Sequence, residues 1–450
     1  MNLRNHVESL PGNPILVVSP HGELTRDQVL CHDIGIREKL AGARVGIYVA
    51  DPGKALQMLV GLDGVADVVA LLSPVAAPEF VVKMASRCGL EAVLCDAPDS
   101  FTTIKEALPA FRSLDALAAS RIPVDLAAKT RWVLTTSGTT SEPKLVSHTL
   151  ASLTRTTKLD AVRGASVRWG MLYDHTRFAG LQVLLQSVLS GSTLVSPALS
   201  DKLEQKVEKF IRHNCTHLSG TPTLWRKIIM TPGAERLQPQ QITLGGEIAD
   251  DRILATLAAF YPNARLVHIY ASTEAGVGFS VADKRSGFPA SYLTAPPAGI
   301  GIKVENDRLY VRNPHVCPHY LDTPDSFAGE DGWVDTGDVV EVQGDRVQFL
   351  GRANGVINVG GDKVHPEEVE RVLMAHPLVA IARVYGKSNP ITGALVAADI
   401  VLASPGMEAK DASEALRKYT QAELGRRKAP ALIRIVAGFD LNIAGKIARN

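Results

Sequence analysis

Cysteine is scarce in this sequence, and what there is cannot form a disulfide scaffold. Five cysteines (Cys31, Cys88, Cys95, Cys215 and Cys317) occur in 450 residues, an odd number, widely spaced and without a Cys-x-x-Cys pair. That pattern reads as incidental thiols in a reducing compartment. A zinc centre is equally under-supplied. His315, Cys317 and His319 alternate, but no second cluster offers the fourth ligand that structural zinc requires. Net charge is also missing: 48 Lys plus Arg against 47 Asp plus Glu give a formal +1, so bulk electrostatics favour neither nucleic acid nor an anionic membrane. The most apolar stretch, residues 65–77, is too short to span a bilayer and is broken by Ser73 and Pro74. The first twenty residues show no basic segment followed by a long apolar core and a cleavage site. The expectation is a cytoplasmic protein without nucleic-acid or membrane partners.

What is present is an ordinary globular composition, 46% hydrophobic and 21% charged, long enough for two or three domains. Between residues 44 and 96, β-rich runs (45–49, 68–72, 92–94) alternate with helical ones (54–62, 78–88). The alternation resumes after residue 180 with a helix over 181–189, a strand over 192–195, a helix over 203–213 and a strand over 217–219. Such alternation predicts doubly wound sheets. From about Leu309 short β-rich pieces take over (309–311, 339–342, 346–350). Beyond Gly351-Arg352 a compact α+β unit is expected, with helices over 366–374 and 413–424 and strands over 379–385, 395–401 and 432–436. The fold class is therefore α/β: a large N-terminal domain (1–351) with doubly wound sheets and a small β-rich part, then a small mobile α+β C-terminal domain (352–450). No internal repeat, low-complexity tract or heptad run is visible.

The most informative local feature is Thr135-Thr136-Ser137-Gly138-Thr139-Thr140-Ser141-Glu142-Pro143-Lys144. It follows the apolar run Trp132-Val133-Leu134, and a helix is expected to begin after Ser147-His148-Thr149. Small hydroxyl residues around one glycine let backbone N–H groups approach a polyphosphate, the hydroxyls donate further hydrogen bonds, and the lysine adds a point charge. The loop is not of the Walker type, because Pro143 and Leu145 flank the lysine where a glycine and a Ser or Thr would stand. Alone, it would also fit a solvated Ser/Thr turn.

Other short segments follow in a telling order: Leu244-Gly245-Gly246-Glu247, Tyr270-Ala271-Ser272-Thr273-Glu274, Trp333-Val334-Asp335-Thr336-Gly337-Asp338 and Gly351-Arg352. After these come Asn358-Val359-Gly360-Gly361-Asp362-Lys363 and finally Gly445-Lys446-Ile447-Ala448-Arg449. With these motifs, essentially the whole chain resembles the adenylate-forming superfamily of acyl-CoA and aryl-CoA synthetases, peptide-synthetase adenylation domains and luciferases. The resemblance implies attack of a small carboxylic acid on the α-phosphate of ATP, release of pyrophosphate and an acyl-adenylate intermediate. The acyl group would then pass to CoA, or to the phosphopantetheine of an acyl or peptidyl carrier protein, or to an amine. It also implies site residues. Thr136, Ser137, Gly138, Thr139, Thr140 and Lys144 would hold the β- and γ-phosphates. Gly246, Glu247 and Tyr270 would form the adenine slot, Ala271 and Ser272 would also contact the nucleotide, and Thr273 would touch the α-phosphate. Glu274 would bind Mg²⁺, Asp338 would accept both ribose hydroxyls, and Arg352 would contact ribose and phosphate. Lys446 would be the catalytic cation bridging the substrate carboxylate and the α-phosphate, with Thr273 and Glu274 as its catalytic neighbours. Residues 360–363 would line the thiol site after the small domain rotates.

The chain departs from the family pattern in four places. Ser141-Glu142 and Leu145 replace glycines in the loop, and Ala353-Asn354 replaces the usual charged hinge residue. Asp440 and Asn442 replace residues before the final Gly-Lys, and the segment ahead of the loop is shorter than usual. In the acid-binding region, His175, Phe178, Gly245 and Gly276 are the expected substrate residues, with Gly278 beside them. A different register would make Tyr173-Asp174 the pair that holds an amino acid's ammonium. Arg177 reads as a surface ion-pair residue, with a second substrate carboxylate as the alternative. A chain that binds nucleotide or acyl-adenylate without turning it over is the remaining reading.

Overall fold

In a computed structural model the protein is described over residues 2–31, 39–95, 129–136, 144–316, 319–323, 326–389, 393–404 and 406–440. Two largely parallel sheets make up the greater part of the molecule. One has strands in the order 92–95, 44–48, 68–71, 131–135 and 145–148, the first four parallel and the last antiparallel. The other runs 276–281, 265–272, 241–245, 217–220, 168–170, 193–195, 15–19 and 22–25, parallel except for a hairpin at each edge. The doubly wound expectation is met. Residues 15–25, to which the alternation assigned nothing, supply one of those edge hairpins. A five-stranded antiparallel sheet over residues 288–352 is the expected small β-rich part. Residues 357–435 form a further mixed sheet with helices Pro366–Ala375 and Ala409–Leu424 beside it.

The helices begin where side chains can satisfy orphan backbone amides. Asp51 accepts the amide of Lys54 at 2.9 Å, ahead of Pro52 at the start of helix Pro52–Leu62. Thr221 and Asp250 do the same for helices Pro222–Ile229 and Asp251–Phe260, at 3.1 and 3.0 Å. The strand that leads into the hydroxyl loop is anchored by Trp132, which is fully buried and donates its indole N–H to Asp63 at 2.8 Å. Burying a ring of that size contributes roughly 2–3 kcal/mol, and the buried hydrogen bond gives it one orientation.

One local expectation changes. The hydroxyl loop does not run from a strand directly into a helix. It joins two antiparallel strands, Arg131–Thr135 and Leu145–His148, with Thr135 paired to Leu145. The expected helix does follow, capped by Thr149, but it spans only Leu150–Thr154. A four-residue strand therefore separates the loop from the next helix along the chain.

Candidate active site

Strand Arg265–Ser272 turns back on strand Gly276–Val281, and the turn projects Thr273 and Glu274 from the sheet edge. The Ser272 hydroxyl tightens it by accepting the Ala275 amide at 2.9 Å. Just before the turn, Tyr270 is sandwiched between Phe279 and Phe349, ring centroids 5.1 and 5.4 Å away and nearly parallel. Gly278 permits this closeness, since a Cβ there would lie 3.1 Å from the tyrosine ring. The Tyr270 hydroxyl donates to Asp338 Oδ2 at 2.5 Å. Asp338 faces Arg352 across the adjacent strands, and the guanidinium donates to Asp338 Oδ1 at 2.9 Å and to the Thr336 carbonyl at 2.6 Å. Burial, and then the Asp338 charge, push the Tyr270 phenol well above its ordinary pKa. Burial opposes the charge on Arg352, but Asp338 outweighs it and the guanidinium pKa stands raised. Beside this cluster, Gly246 has φ +78°, a conformation suited to glycine, at the end of strand Gln241–Gly245. Glu247 accepts the Thr223 amide at 3.0 Å in the first turn of helix Pro222–Ile229.

Thr273 is held from behind. Its carbonyl accepts the Nε2–H of His148 at 2.8 Å, while Nδ1 lies 3.2 Å from the Ser152 hydroxyl. Burial brings the His148 pKa down to about 4, against the raising effect of the Thr273 bond, so the ring is neutral near pH 7. Its other neighbour is Phe178, at 5.6 Å between centroids. His148 was not among the residues expected from the sequence; its signal was a histidine at the end of an apolar strand just past the loop. Glu274 is half-buried, has no ion-pair partner among the described residues, and lines a cavity of about 260 Å³ with Arg312, Asn313 and Asp331. Two carboxylates, Glu274 and Asp331, thus line one cavity, a donor set that would suit Mg²⁺, which keeps several waters and takes one or two carboxylates along with phosphate oxygens. Among the described residues no three His, Cys, Asp or Glu side chains cluster as a metal cage.

At the mouth of the hydroxyl loop, the Thr136 amide donates to the Lys144 carbonyl at 3.0 Å and closes the hairpin. Ser137, Gly138, Thr139 and Thr140 lie outside the described residues. Lys144 donates to the Tyr320 hydroxyl at 3.1 Å and sits 4.6 Å from the centre of its ring. Tyr320 is brought there by its bridge to Val146 and by the Leu321 amide bonded to Leu145. On the opposite side of the mouth, Arg177 donates to Thr135 Oγ1 at 3.2 Å. Arg177 is half-buried, and the surface ion pair expected from the sequence is not seen among the described residues.

The expected substrate residues are dispersed around this centre. Phe178 lies against His148, and Gly276 (φ +68°) abuts Asn313 and Val316. Gly245 pairs with Ile269, and a Cβ there would be in ordinary contact with the Ile269 carbonyl oxygen at 3.7 Å. His175 is 1% exposed and so packed beneath the surface. Gly180 allows this tight turn, because a Cβ there would collide with the Asp174 carbonyl. Asp174 is buried too: Ser73 donates to one carboxylate oxygen at 2.6 Å, and the Thr176 amide and hydroxyl donate to the other at 2.8 Å each.

The C-terminal unit is docked on the rest by cations. Arg252 donates to the carbonyls of Met374 and His376, capping helix Pro366–Ala375 at its negative end. Lys227 donates to the Phe439 carbonyl at 2.5 Å. Lys446 lies outside the described residues.

A family model described as AMP-binding enzyme matches residues 40–321, and one described as AMP-binding enzyme C-terminal domain matches residues 368–446. The human protein named acyl-coenzyme A synthetase ACSM2B, mitochondrial, is 25% identical over 347 residues, covering 70% of this chain and 59% of that protein. The 2-succinylbenzoate–CoA ligase, chloroplastic/peroxisomal, of Arabidopsis thaliana is 26% identical over 370 residues, covering 70% and 65%. The chain's match thus spans less than two thirds of either relative's length. Among solved structures, the anthranilate CoA ligase AuaEII in complex with anthranoyl-AMP superposes with TM-score 0.80 at 16% identity, covering 99% of this chain and 95% of that one. The o-succinylbenzoate CoA synthetase of Bacillus subtilis in complex with its acyl-adenylate OSB-AMP gives 0.74 at 20% identity, covering 99% and 96%. These likenesses establish the fold.

Proposed function

The chain belongs to the AMP-binding enzyme family, and we propose that it activates a small carboxylic acid with ATP and passes the acyl group to a thiol. In the first step a carboxylate oxygen bonds to the α-phosphorus, the α–β bridging bond breaks, and pyrophosphate leaves. In the second the thiol sulfur attacks the acyl carbon, loses its proton, and AMP leaves. The observation that carries this reading is the convergence of Tyr270, Asp338 and Arg352, which come from three different strands, beside the Thr273–Glu274 turn. Asp338 offers the two acceptor oxygens a ribose diol needs, and the half-buried Glu274 carboxylate fits Mg²⁺, which neutralises a triphosphate when bound. Arg352 stays charged beside the ribose and phosphates. Thr273, braced by neutral His148, donates to the α-phosphate. Lys446 supplies the cation at the reacting carboxylate.

Asp174 argues against an amino-acid substrate, because it is buried and its oxygens already take three hydrogen bonds from Ser73 and Thr176, which turn the carboxylate inward rather than towards an ammonium. The relatives named above are acyl-CoA and 2-succinylbenzoate–CoA ligases, which supports CoA as acceptor ahead of a carrier protein or an amine. Cys31, Cys88 and Cys215 are free thiols, in keeping with a cytoplasmic setting, and no helix among the described residues is long and apolar enough to cross a membrane. The test is acid-dependent exchange of labelled pyrophosphate into ATP across fatty, aryl, dicarboxylic and amino acids, followed by CoA or a phosphopantetheinylated carrier as acceptor. Exchange with one acid class establishes adenylation. ATP binding without exchange for any acid would replace this proposal with a non-catalytic binder.

A further inference from the structure

Arg177 is a cation whose place in the fold no role assigned so far explains. It precedes helix Phe178–Leu189 and makes no capping bond with its side chain. Instead the guanidinium reaches across to Thr135, the last residue of the strand that enters the hydroxyl loop. Its Nε is buried without an acceptor, and among the described residues its printed hydrogen bond is the one to that threonine hydroxyl. The Asp174 charge lends some favourable field, while its two oxygens accept from Ser73 and Thr176 and from no guanidinium among the described residues. Burying a guanidinium without a carboxylate is costly, and burial accordingly lowers its pKa. A protein that needs only an ion pair here could have offered Asp174 itself. A guanidinium at the loop mouth with no carboxylate partner among the described residues makes sense if an anion from outside completes it.

Which anion is suggested by position. Thr135 is paired with Leu145 and adjoins Thr136, which closes the hairpin onto Lys144. Arg177 and Lys144 therefore stand at the two stems of one hairpin, one bonded to a hydroxyl and the other laid on the Tyr320 ring. Phe178, the next residue, touches His148, which holds Thr273. From this geometry we propose that Arg177 binds the β- or γ-phosphate of ATP, and the pyrophosphate product, as the partner of Lys144 at the other stem of the hairpin. The inference rests on the ATP-binding reading above and adds a phosphate-binding residue that the sequence motifs did not include.

Direct titration of MgATP, Mg-pyrophosphate and AMP separates this role from others without relying on turnover. Arg177→Gln is expected to weaken MgATP and pyrophosphate by about 10-fold or more, the scale of a charge-assisted hydrogen bond, with AMP changed less than about 2-fold. Arg177→Lys should recover part of the loss. Thr135→Val, which removes the hydrogen bond but not the charge, should cost less than Arg177→Gln. Equal weakening of AMP and ATP, or Thr135→Val matching Arg177→Gln, would make the arginine a structural brace and overturn the proposal. Unchanged ATP and pyrophosphate binding with a raised KM for the acid would also overturn it, and would assign the guanidinium to a second anionic group on the substrate. A wild-type chain that binds none of the three ligands refutes the ATP reading itself, and this role with it.

Discussion

At one end of the candidate nucleotide site Tyr270, Asp338 and Arg352 are bonded to one another, in a wall of stacked aromatic rings. At the other end, Lys144 and Arg177 meet a phenol and a threonine hydroxyl, with no carboxylate in contact among the described residues. The difference follows the charge of what each end is proposed to receive. A ribose is neutral, so the wall pairs its own charges and keeps Asp338 oriented for the diol. A triphosphate brings its own negative charge, and a carboxylate paired to either cation would have to be displaced before phosphate could bind. Preorganisation at the first end thus comes from internal hydrogen bonds, and at the second from packing that leaves cations available.

The largest effect tests chemistry between the two ends. Lys446→Ala should slow acid-dependent pyrophosphate exchange by about 10²–10³-fold while changing ATP affinity much less; equal exchange rates would remove the lysine from the mechanism. Next comes His148, which joins the two ends by bridging the strand after the loop to Thr273. Its folded pKa of about 4 lies below the ordinary value of 6.5, so the unfolded chain takes up a proton that the folded chain refuses. Stability should therefore fall as pH drops from about 6.5 to about 4, by roughly 3 kcal/mol for this group. His217, also lowered to about 4 by burial, adds to the same slope. Denaturant unfolding across that pH range should show His148→Gln flattening part of the dependence, and an unchanged slope would mean the ring is not held neutral.

Asp338→Ala then tests the prebuilt wall. It removes the ribose acceptor and leaves the Tyr270 hydroxyl and Arg352 without their partner, so ATP and AMP should both weaken by about 10–100-fold. Selective loss of ATP alone would erase the contrast between the ends. The smallest effect belongs to Tyr320. Tyr320→Ala should weaken ATP roughly 2–5-fold through the lost contact with Lys144, the scale of an exposed cation–π pair, and Tyr320→Phe should retain much of that. Loss of AMP binding to the same extent would show that Tyr320 supports the whole fold rather than the lysine.

Local patterns in the sequence carried a great deal of this. Strands 44–48 and 68–71 and helices 78–87 and 203–212 fall where alternation and helical spacing put them, because each is a short unit whose apolar residues must face one core. The order of Tyr270, Thr273, Glu274, Asp338 and Arg352 likewise pointed to one site by resemblance, since their roles depend on residue type. Contacts between distant segments could not be read in that way. Tyr270 and Asp338 are 68 positions apart, His148 and Thr273 125, and Lys144 and Tyr320 176. Whether Arg177 meets an acid or a hydroxyl depends on how helix Phe178–Leu189 packs beside strand Arg131–Thr135, which no local spacing encodes. The same holds for His148, whose neutrality comes from burial. The sequence by itself determined the elements, the family and the chemical types available. The tertiary structure alone decided which charges are paired and which are left for a ligand, because burial and long-range register set the energy of each charge.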